Sequence, residues 1–360
     1  MNRPYNFQGA GYRMIRSIDV RNFRCFRQLS IPDLGRLNVI VGDNGAGKTA
    51  LLESIFLPLA TSTEIGMRLR QQRGLDGAFQ GTASHIESAL WGGFFYNHDM
   101  KKSILLTLEG DGVESRSLEI AKSDSEGIFS EIAGDISSRD ASVVFNWRDS
   151  SGNLKTARPM VSDGKFSFPG TGESLQNFYY YAANTTIGSV EVASKFSELS
   201  QAGLHERFIR LFQSEYSWIE GLNVEVYGGS PVLFAAIKGQ KVKQPLPNVS
   251  SGINRAVAFM LAIASSENGI VMIDEIENGI HYSHLGGIWR SLLSFIREYN
   301  CQLVVSTHSQ ECLWALAKAA GSNLDDIRLW QLDRGDGQSI VNSFSGEDLK
   351  IALDYNEEIR

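Results

Sequence analysis

The octapeptide Gly42-Asp43-Asn44-Gly45-Ala46-Gly47-Lys48-Thr49 carries residue types and a spacing suited to holding a chain of phosphates. In the pattern G-x-x-x-x-G-K-T, the backbone amides around Gly42, Asn44, Gly45 and Gly47 close on the anion. The glycines allow the positive φ values and close approach that this needs. Lys48 is placed to reach the β- and γ-phosphates, and Thr49 to put its hydroxyl on a magnesium ion. An apolar run, Leu37 to Val41, precedes the loop and Ala50 to Phe56 follows it. That context predicts a buried strand, a tight turn and a helix whose N-terminus adds to the anion site. A ligand-free glycine turn is the bland alternative, and three further stretches weigh against it.

The first is Gly269-Ile270-Val271-Met272-Ile273-Asp274-Glu275. An apolar run ending in two carboxylates predicts a buried strand with acids at its C-terminal tip, where ligands bind in open α/β sheets. Asp274 would hold magnesium through its water shell. Glu275, one residue further out, would polarise an attacking water. The second is Cys301 to Ser309, CQLVVSTHS, another buried strand with a polar tip, where His308 can donate to a γ-phosphate. The third is Asn248 to Arg255, where Ser250, Ser251 and Gly252 open a helix and offer a second anion site. One nucleotide held by Gly42 to Thr49 leaves that second site spare, so it is expected to complete the pocket of another subunit. The simpler reading of Ser250 or Ser251 is a helix N-cap.

The elements that must position these residues follow from periodicity. Residues 1–13 lack a period and read as an N-terminal extension; 14–360 read as one domain carrying a sizeable insertion, given that cores seldom grow beyond ~250–300 residues. Met14 to Val20 alternates as a half-buried strand, and a second strand runs from Phe26 to Ile31. Thr61 to Gly81, with Arg68, Arg70 and Arg73, reads as a solvated helix and loop, or as a nucleotide lid or a nucleic-acid contact. His85 to Trp91 reads as a short helix closed by Gly92-Gly93. A β-rich insertion about 95–176 is expected, with strands at Ser103–Leu108, Arg116–Ile120, Ser142–Trp147 and Leu154–Met160. Asn177 to Ala182 is an aromatic strand, and a helical segment about 188–220 follows, its aromatic stripe read as core. Two strands flank Gly228-Gly229, and from Gly252 onward helix and strand alternate. The fold class is therefore α/β: a mostly parallel phosphate-loop sheet, an antiparallel β subdomain and a helical insertion.

Composition bounds the partners. Hydrophobic residues at 42% and charged ones at 21% suit a globular domain. No apolar run reaches the ~18–20 residues that span a bilayer, so no membrane association is expected. Cys25, Cys301 and Cys312 have no metal-ligand spacing and fit a reducing cytoplasm. A net charge of −7 restricts any nucleic-acid contact to a local patch.

Together the four stretches resemble the ATP-binding-cassette ATPase superfamily. GDNGAGKT is similar to its Walker A, VSSGINR to its signature, IVMIDE to its Walker B and STHS to its histidine switch, all in the family's order. Asn278 to His281, NGIH, stands where the family's D-loop lies. IRSIDVRNFRCF, DEIENGIH and STHSQECL resemble the stand-alone ATPases similar to the OLD family, which overlaps the RecF/SMC-like branch. There are departures: the stretch from Lys48 to Ser250 has no sustained heptads for coiled-coil arms. Asp333 and Asp336 lie in a turn-like DRGDG and do not make a Toprim acid pair, so the ATPase is expected without that nuclease.

The resemblance implies ATP and Mg2+ as ligands, with Lys48, Thr49, Asp274, Glu275 and His308 in the cis site. It implies that Ser250, Ser251 and Gly252 serve the partner's γ-phosphate in a homodimer closed on two ATP molecules, or in a higher oligomer. It places Asn184, after the NFYYYA strand, at the metal in the Q-loop position, where the family's usual Gln is absent. Arg24 is expected to approach the nucleotide from the N-terminal turn, a surface salt bridge being the alternative. The branch further implies a cytoplasmic role in DNA-associated or phage-defence processes with a separately encoded effector such as a Toprim-like nuclease. The rival readings are a RecF-like repair ATPase that touches DNA, a transporter's ATPase subunit, and a non-hydrolysing ATP-sensing scaffold.

Overall fold

The computed structural model describes residues 14–60, 62–75, 89–111, 115–122, 139–140, 143–162, 165–168, 170, 177–334 and 339–354. The 1–13 extension, Asp336 and residues 85–88 of the short helix read at 85–91 lie outside them.

The chain opens with strands β1 (Met14–Phe23), β2 (Phe26–Ile31) and β3 (Leu37–Gly42), then helices α1 (Lys48–Leu59) and α2 (Ile65–Gln72). All six residues of β3 are buried, as a strand covered on both faces requires. Next come β4 (Ile104–Asp111), β5 (Arg116–Lys122), β6 (Arg139–Asp140), β7 (Val143–Arg148), β8 (Leu154–Ala157), β9 (Met160–Ser162) and β10 (Lys165–Ser167). The strand read from the sequence as Leu154–Met160 is broken. Its first part pairs with β7, while β9 joins a separate three-stranded sheet with β6 and β10. Arg158-Pro159 lies at the break, and a proline without an N–H cannot continue a ladder.

Then follow β11 (Phe178–Tyr181), α3 (Ser189–Gln201), α4 (His205–Gln213), β12 (Ile219–Tyr227), β13 (Ser230–Ile237) and β14 (Gln244–Pro245). The final third comprises α5 (Leu246–Val249), α6 (Ser251–Ser265), β15 (Ile270–Ile273), α7 (Tyr282–Glu298), β16 (Gln302–Ser306), α8 (Gln310–Ala320), β17 (Ile327–Arg334), β18 (Ser339–Ser345) and α9 (Gly346–Asp354).

One six-stranded sheet has the order β11-β15-β16-β3-β17-β18, with only the last pair antiparallel. A second runs β2-β1-β4-β5-β7-β8, entirely antiparallel. The N-terminal hairpin thus shares a sheet with strands from the stretch after α2, because β1 pairs with β4 from Met14↔Asp111 to Arg21↔Leu105.

Two cores flank the parallel sheet. Val39, Val41, Val271, Ile273, Leu303 and Val305 face α3, α4, α6, α7 and α8. The alternate residues Ile40, Met272 and Val304 face α1 and the antiparallel sheet. This period-2 division explains why these strands read as unbroken apolar runs. Phe196, Phe208 and Phe212 are buried, and Phe208 meets Phe295 edge-on at 5.1 Å, so the aromatic stripe of α3 and α4 is core. Between the sheets, the buried amide of Gln302 bonds Ile15 on both sides: the Ile15 N–H donates to Oε1 (3.0 Å), and Nε2 donates to Ile15 O (2.8 Å) and Gly35 O (2.8 Å).

Candidate functional site

Strands β3, β16 and β15 are parallel neighbours, registered by Ile40↔Ser306 and Val305↔Ile273. Their carboxyl ends therefore bring Gly42–Thr49, Thr307–His308 and Asp274–Glu275 to one edge, where open α/β sheets bind ligands. The loop turns from β3 to α1 through Gly42 (φ +139), Gly45 (φ +84) and Gly47 (φ +109). At Gly47 a methyl group would also sit 2.7 Å from Cys25 Sγ and 2.7 Å from a Phe26 ring carbon, so the β1–β2 turn packs directly on the loop.

Lys48 begins α1 with its ammonium buried, donating to Gly42 O at 2.6 Å and Asp43 O at 3.0 Å. Burial lowers its pKa, opposed by the charges of Glu275 and Asp274. Next to it, the Thr49 hydroxyl donates to Asp274 Oδ2 at 2.7 Å. Asp274 is buried, and its other oxygen accepts from the Ser306 hydroxyl. Burial pushes this carboxyl up; hydrogen bonds from Ser306 and Thr49 pull it back, and Glu275 and Glu53 push the same way as burial. The Ser306 oxygen also accepts the Glu275 N–H at 2.8 Å. One serine thus fixes both acids of the strand tip.

Glu275 has φ +48, an uncommon conformation for a side chain this size and one that clusters at functional sites. Asn278 Nδ2 donates to Glu275 Oε2 at 2.5 Å and to Ala183 O at 3.4 Å. Glu277 Oε1 accepts the His308 N–H at 3.0 Å and lies 3.1 Å from His308 Nδ1. The turn after β15 is thereby tied to the loops after β11 and β16.

Ser250 caps α6, its hydroxyl accepting the Ile253 N–H at 3.3 Å; Ser251 is exposed and Gly252 buried. A methyl group at Gly252 would lie 3.9 Å from Ile280 Cα and 4.0 Å from Gly279 O, so this helix start rests against the same turn. Arg255, one turn on, is lowered by burial and raised by Glu275 and Glu277; its Nε and Nη2 are buried without a hydrogen-bond partner.

Asn184 is exposed in the loop after β11, beside the Ala183 carbonyl that Asn278 engages. Arg24 turns toward α1: its Nε donates to Glu53 Oε2 at 3.0 Å, its Nη1 to Gly93 O at 2.9 Å, and its guanidinium lies 4.2 Å from the Phe94 ring centre. Arg73 Nε donates to the second Glu53 oxygen at 2.7 Å, so a carboxylate only 1% exposed is held between two arginines.

Sequence reasoning missed Ser306, Glu277 and Glu53, and named Asn278 only as part of the NGIH stretch, not as the partner of Glu275. Ser306 was visible as the first polar residue after an apolar run, and Glu277 and Asn278 as polar residues beside two acids. The pairing of each follows only from which strands are neighbours.

The described residues supply what magnesium requires. A hydroxyl and a carboxylate, both hard oxygen donors, converge at 2.7 Å. Magnesium takes hard oxygen ligands and keeps several of its waters, which suits Thr49 as a direct ligand and Asp274 as one acting through water.

Comparison with known proteins gives three kinds of match. Residues 162–313 fit the family profile described as "AAA ATPase domain", and residues 17–156 the one described as "AAA domain". An "ATP/GTP phosphatase" of Helicobacter pylori is 23% identical, covering 96% of this chain and 100% of that protein. Shorter matches are local. An "OLD nuclease" of Thermus scotoductus is 50% identical over 46 residues, 13% of this chain and 8% of the nuclease. A "DNA replication and repair protein RecF" of Lactobacillus acidophilus is 28% identical over 105 residues, 29% of this chain and 26% of that protein.

Proposed function

The chain is an ABC-type ATPase of the OLD/RecF/SMC branch, and from that premise we propose that it hydrolyses ATP as a homodimer closed on two nucleotides. The observation that carries this is the Thr49–Asp274 hydrogen bond of 2.7 Å with Glu275 one residue beyond, at the edge where the phosphate loop opens. Lys48 leaves its loop carbonyls for the β- and γ-phosphates. Thr49 and Asp274 hold Mg2+, which when bound neutralises developing charge on the phosphate oxygens. Glu275 polarises a water that attacks the γ-phosphorus in line. The bond to the β-phosphate oxygen breaks, ADP and phosphate leave, and the water's proton passes by way of Glu275 to solvent. His308 donates to the γ-phosphate. Positioning and charge stabilisation do the work, with no covalent intermediate.

Ser250, Ser251 and Gly252 stand at the start of α6 against the turn after Glu275, and in this reading they close the γ-phosphate of the partner. Loss of that phosphate removes the bond that keeps the dimer shut, so hydrolysis becomes opening. The dimer acts in the cytoplasm, alone or within a higher oligomer, and controls a separately encoded effector such as a Toprim-like nuclease in phage defence. Among the described residues no helix is long and apolar enough to cross a membrane. The RecF match supports a second reading, a repair ATPase whose DNA affinity falls steeply with salt.

The test is turnover of wild type against Glu275→Gln, with mass measured in ATP and Mg2+. Hydrolysis by wild type, and an ATP-locked dimer in Glu275→Gln that Ser250→Arg abolishes, are the expected results. ATP binding without hydrolysis in wild type, with DNA and effector supplied, makes the protein a sensing scaffold instead.

A further inference from the structure

We propose that Glu277 is a positioning residue that selects which nitrogen of His308 faces the nucleotide and which protonation form it takes. This rests on the ATPase reading above. The His308 side chain is 48% exposed, so packing restrains its ring little. The restraint comes from Glu277, 31 residues away on the neighbouring strand's turn and itself only 10% exposed. One carboxylate oxygen accepts the His308 N–H at 3.0 Å and lies 3.1 Å from Nδ1 of the same residue.

A carboxylate only accepts, so a hydrogen bond across that 3.1 Å contact requires Nδ1 to be the ring nitrogen that carries hydrogen. Nε2 is then the nitrogen left for the phosphate. In a neutral ring protonated at Nδ1, Nε2 is a lone pair, which a phosphate oxygen repels. A ring that bridges a carboxylate and a phosphate does so as imidazolium, donating at both ends. Glu277 therefore selects the form of His308 that can grip a γ-phosphate.

A loop tie alone would not need this arrangement. The second oxygen of Glu277, Oε2, is buried with no hydrogen-bond partner, a costly placement for a charged group. Glutamine would accept the His308 N–H equally well, and its unpartnered amide would cost less there than an unpartnered charge. The negative charge also faces Arg255 and Lys48; it is the property that the loop tie does not explain and that an imidazolium at His308 would use.

The experiment uses the full chain with Glu277→Gln, His308→Ala and the double variant. ATP turnover and ATP affinity are measured for each, together with nitrogen NMR of the His308 ring, assigned through His308→Ala. Glu277→Gln is expected to lower kcat about tenfold to 100-fold, the usual effect of removing a carboxylate that orients a functional histidine. ATP affinity should stay within about twofold, and the double variant should be no slower than His308→Ala alone. The wild-type ring should report a protonated Nδ1, and Glu277→Gln should shift that signal. A wild-type kcat in Glu277→Gln, a multiplied loss in the double variant, or a ring unchanged by the substitution overturns the proposal. The NMR arm needs no turnover, so an inactive wild type with a Glu277-dependent ring defeats the ATPase reading and leaves the positioning role standing.

Discussion

The Thr49 hydroxyl donates to Asp274 at 2.7 Å although 225 positions of sequence separate them. No local pattern links the two; they meet because β16 lies between β3 and β15 and all three strands run the same way. Thr49→Val and Asp274→Asn each remove one side of this pair. Each is expected to lower ATP turnover by about 10²–10³-fold, the scale of losing one charge-stabilising group at a reacting phosphate. Nucleotide affinity measured with Mg2+ and with EDTA should converge in both variants; a wild-type magnesium effect in either would remove the pair from the metal site.

Asp274 also makes a prediction about pH. Its carboxyl is raised above 3.8 by burial, so on acidification the folded chain takes up this proton before the unfolded chain does. Stability from this group is therefore highest below the unfolded value and declines as pH rises through the interval up to the folded one. At neutral pH the buried charge is a net cost. Asp274→Asn is expected to raise Tm at pH 7 and to lose that advantage as pH falls toward 4, in thermal scans without nucleotide. A Tm difference that is the same at both pH values would show that desolvation of this carboxylate is not what sets it.

Lys48→Ala removes the ammonium that, in the proposed mechanism, leaves Gly42 O and Asp43 O for the phosphates. A charge-assisted hydrogen bond contributes about 1.5–3 kcal/mol, so ATP affinity should fall at least tenfold in direct binding titrations. An unchanged affinity would contradict the assignment of Gly42–Thr49 as the phosphate loop.

Glu53 offers a stability test away from the chemistry. Its carboxylate, 1% exposed, accepts from Arg24 at 3.0 Å and Arg73 at 2.7 Å. Glu53→Ala strands two guanidinium groups, one of them largely buried, and should cost about 3 kcal/mol, seen as a lower Tm in thermal unfolding. Glu53→Gln keeps an acceptor and should lose less. Equal Tm values for wild type and Glu53→Ala would mean that the arginines re-pair with solvent at no cost.

Much of this was legible in the sequence, for identifiable reasons. The runs Leu37–Val41 and Ile270–Ile273 are apolar without alternation because each strand feeds two cores, and their polar tips mark the ligand edge. Ser250 at a helix start was readable because capping chemistry is local. Pairings between distant segments were not. Nothing in Met14–Val20 announces that β1 will join β4, and only Pro159 hints that Leu154–Met160 divides between two sheets. Arg24 shows the same limit. Its type and position left a nucleotide contact and a surface salt bridge both open, and its side chain is paired with Glu53, a residue whose burial depends on how α1 lies between the sheets.

The Gln302 amide behaves as a short piece of backbone inserted between the layers, occupying both the N–H and the C=O of Ile15. Those partners are 287 positions apart, so on the ribosome the earliest strand emerges long before the residue that completes its bonding exists. Until β16 is synthesised, Ile15 must find water or a substitute, although the edge of its hairpin is already covered by β4. The antiparallel layer can therefore form before the parallel sheet is complete, while the polar seam that joins the two layers through Gln302 closes only with β16.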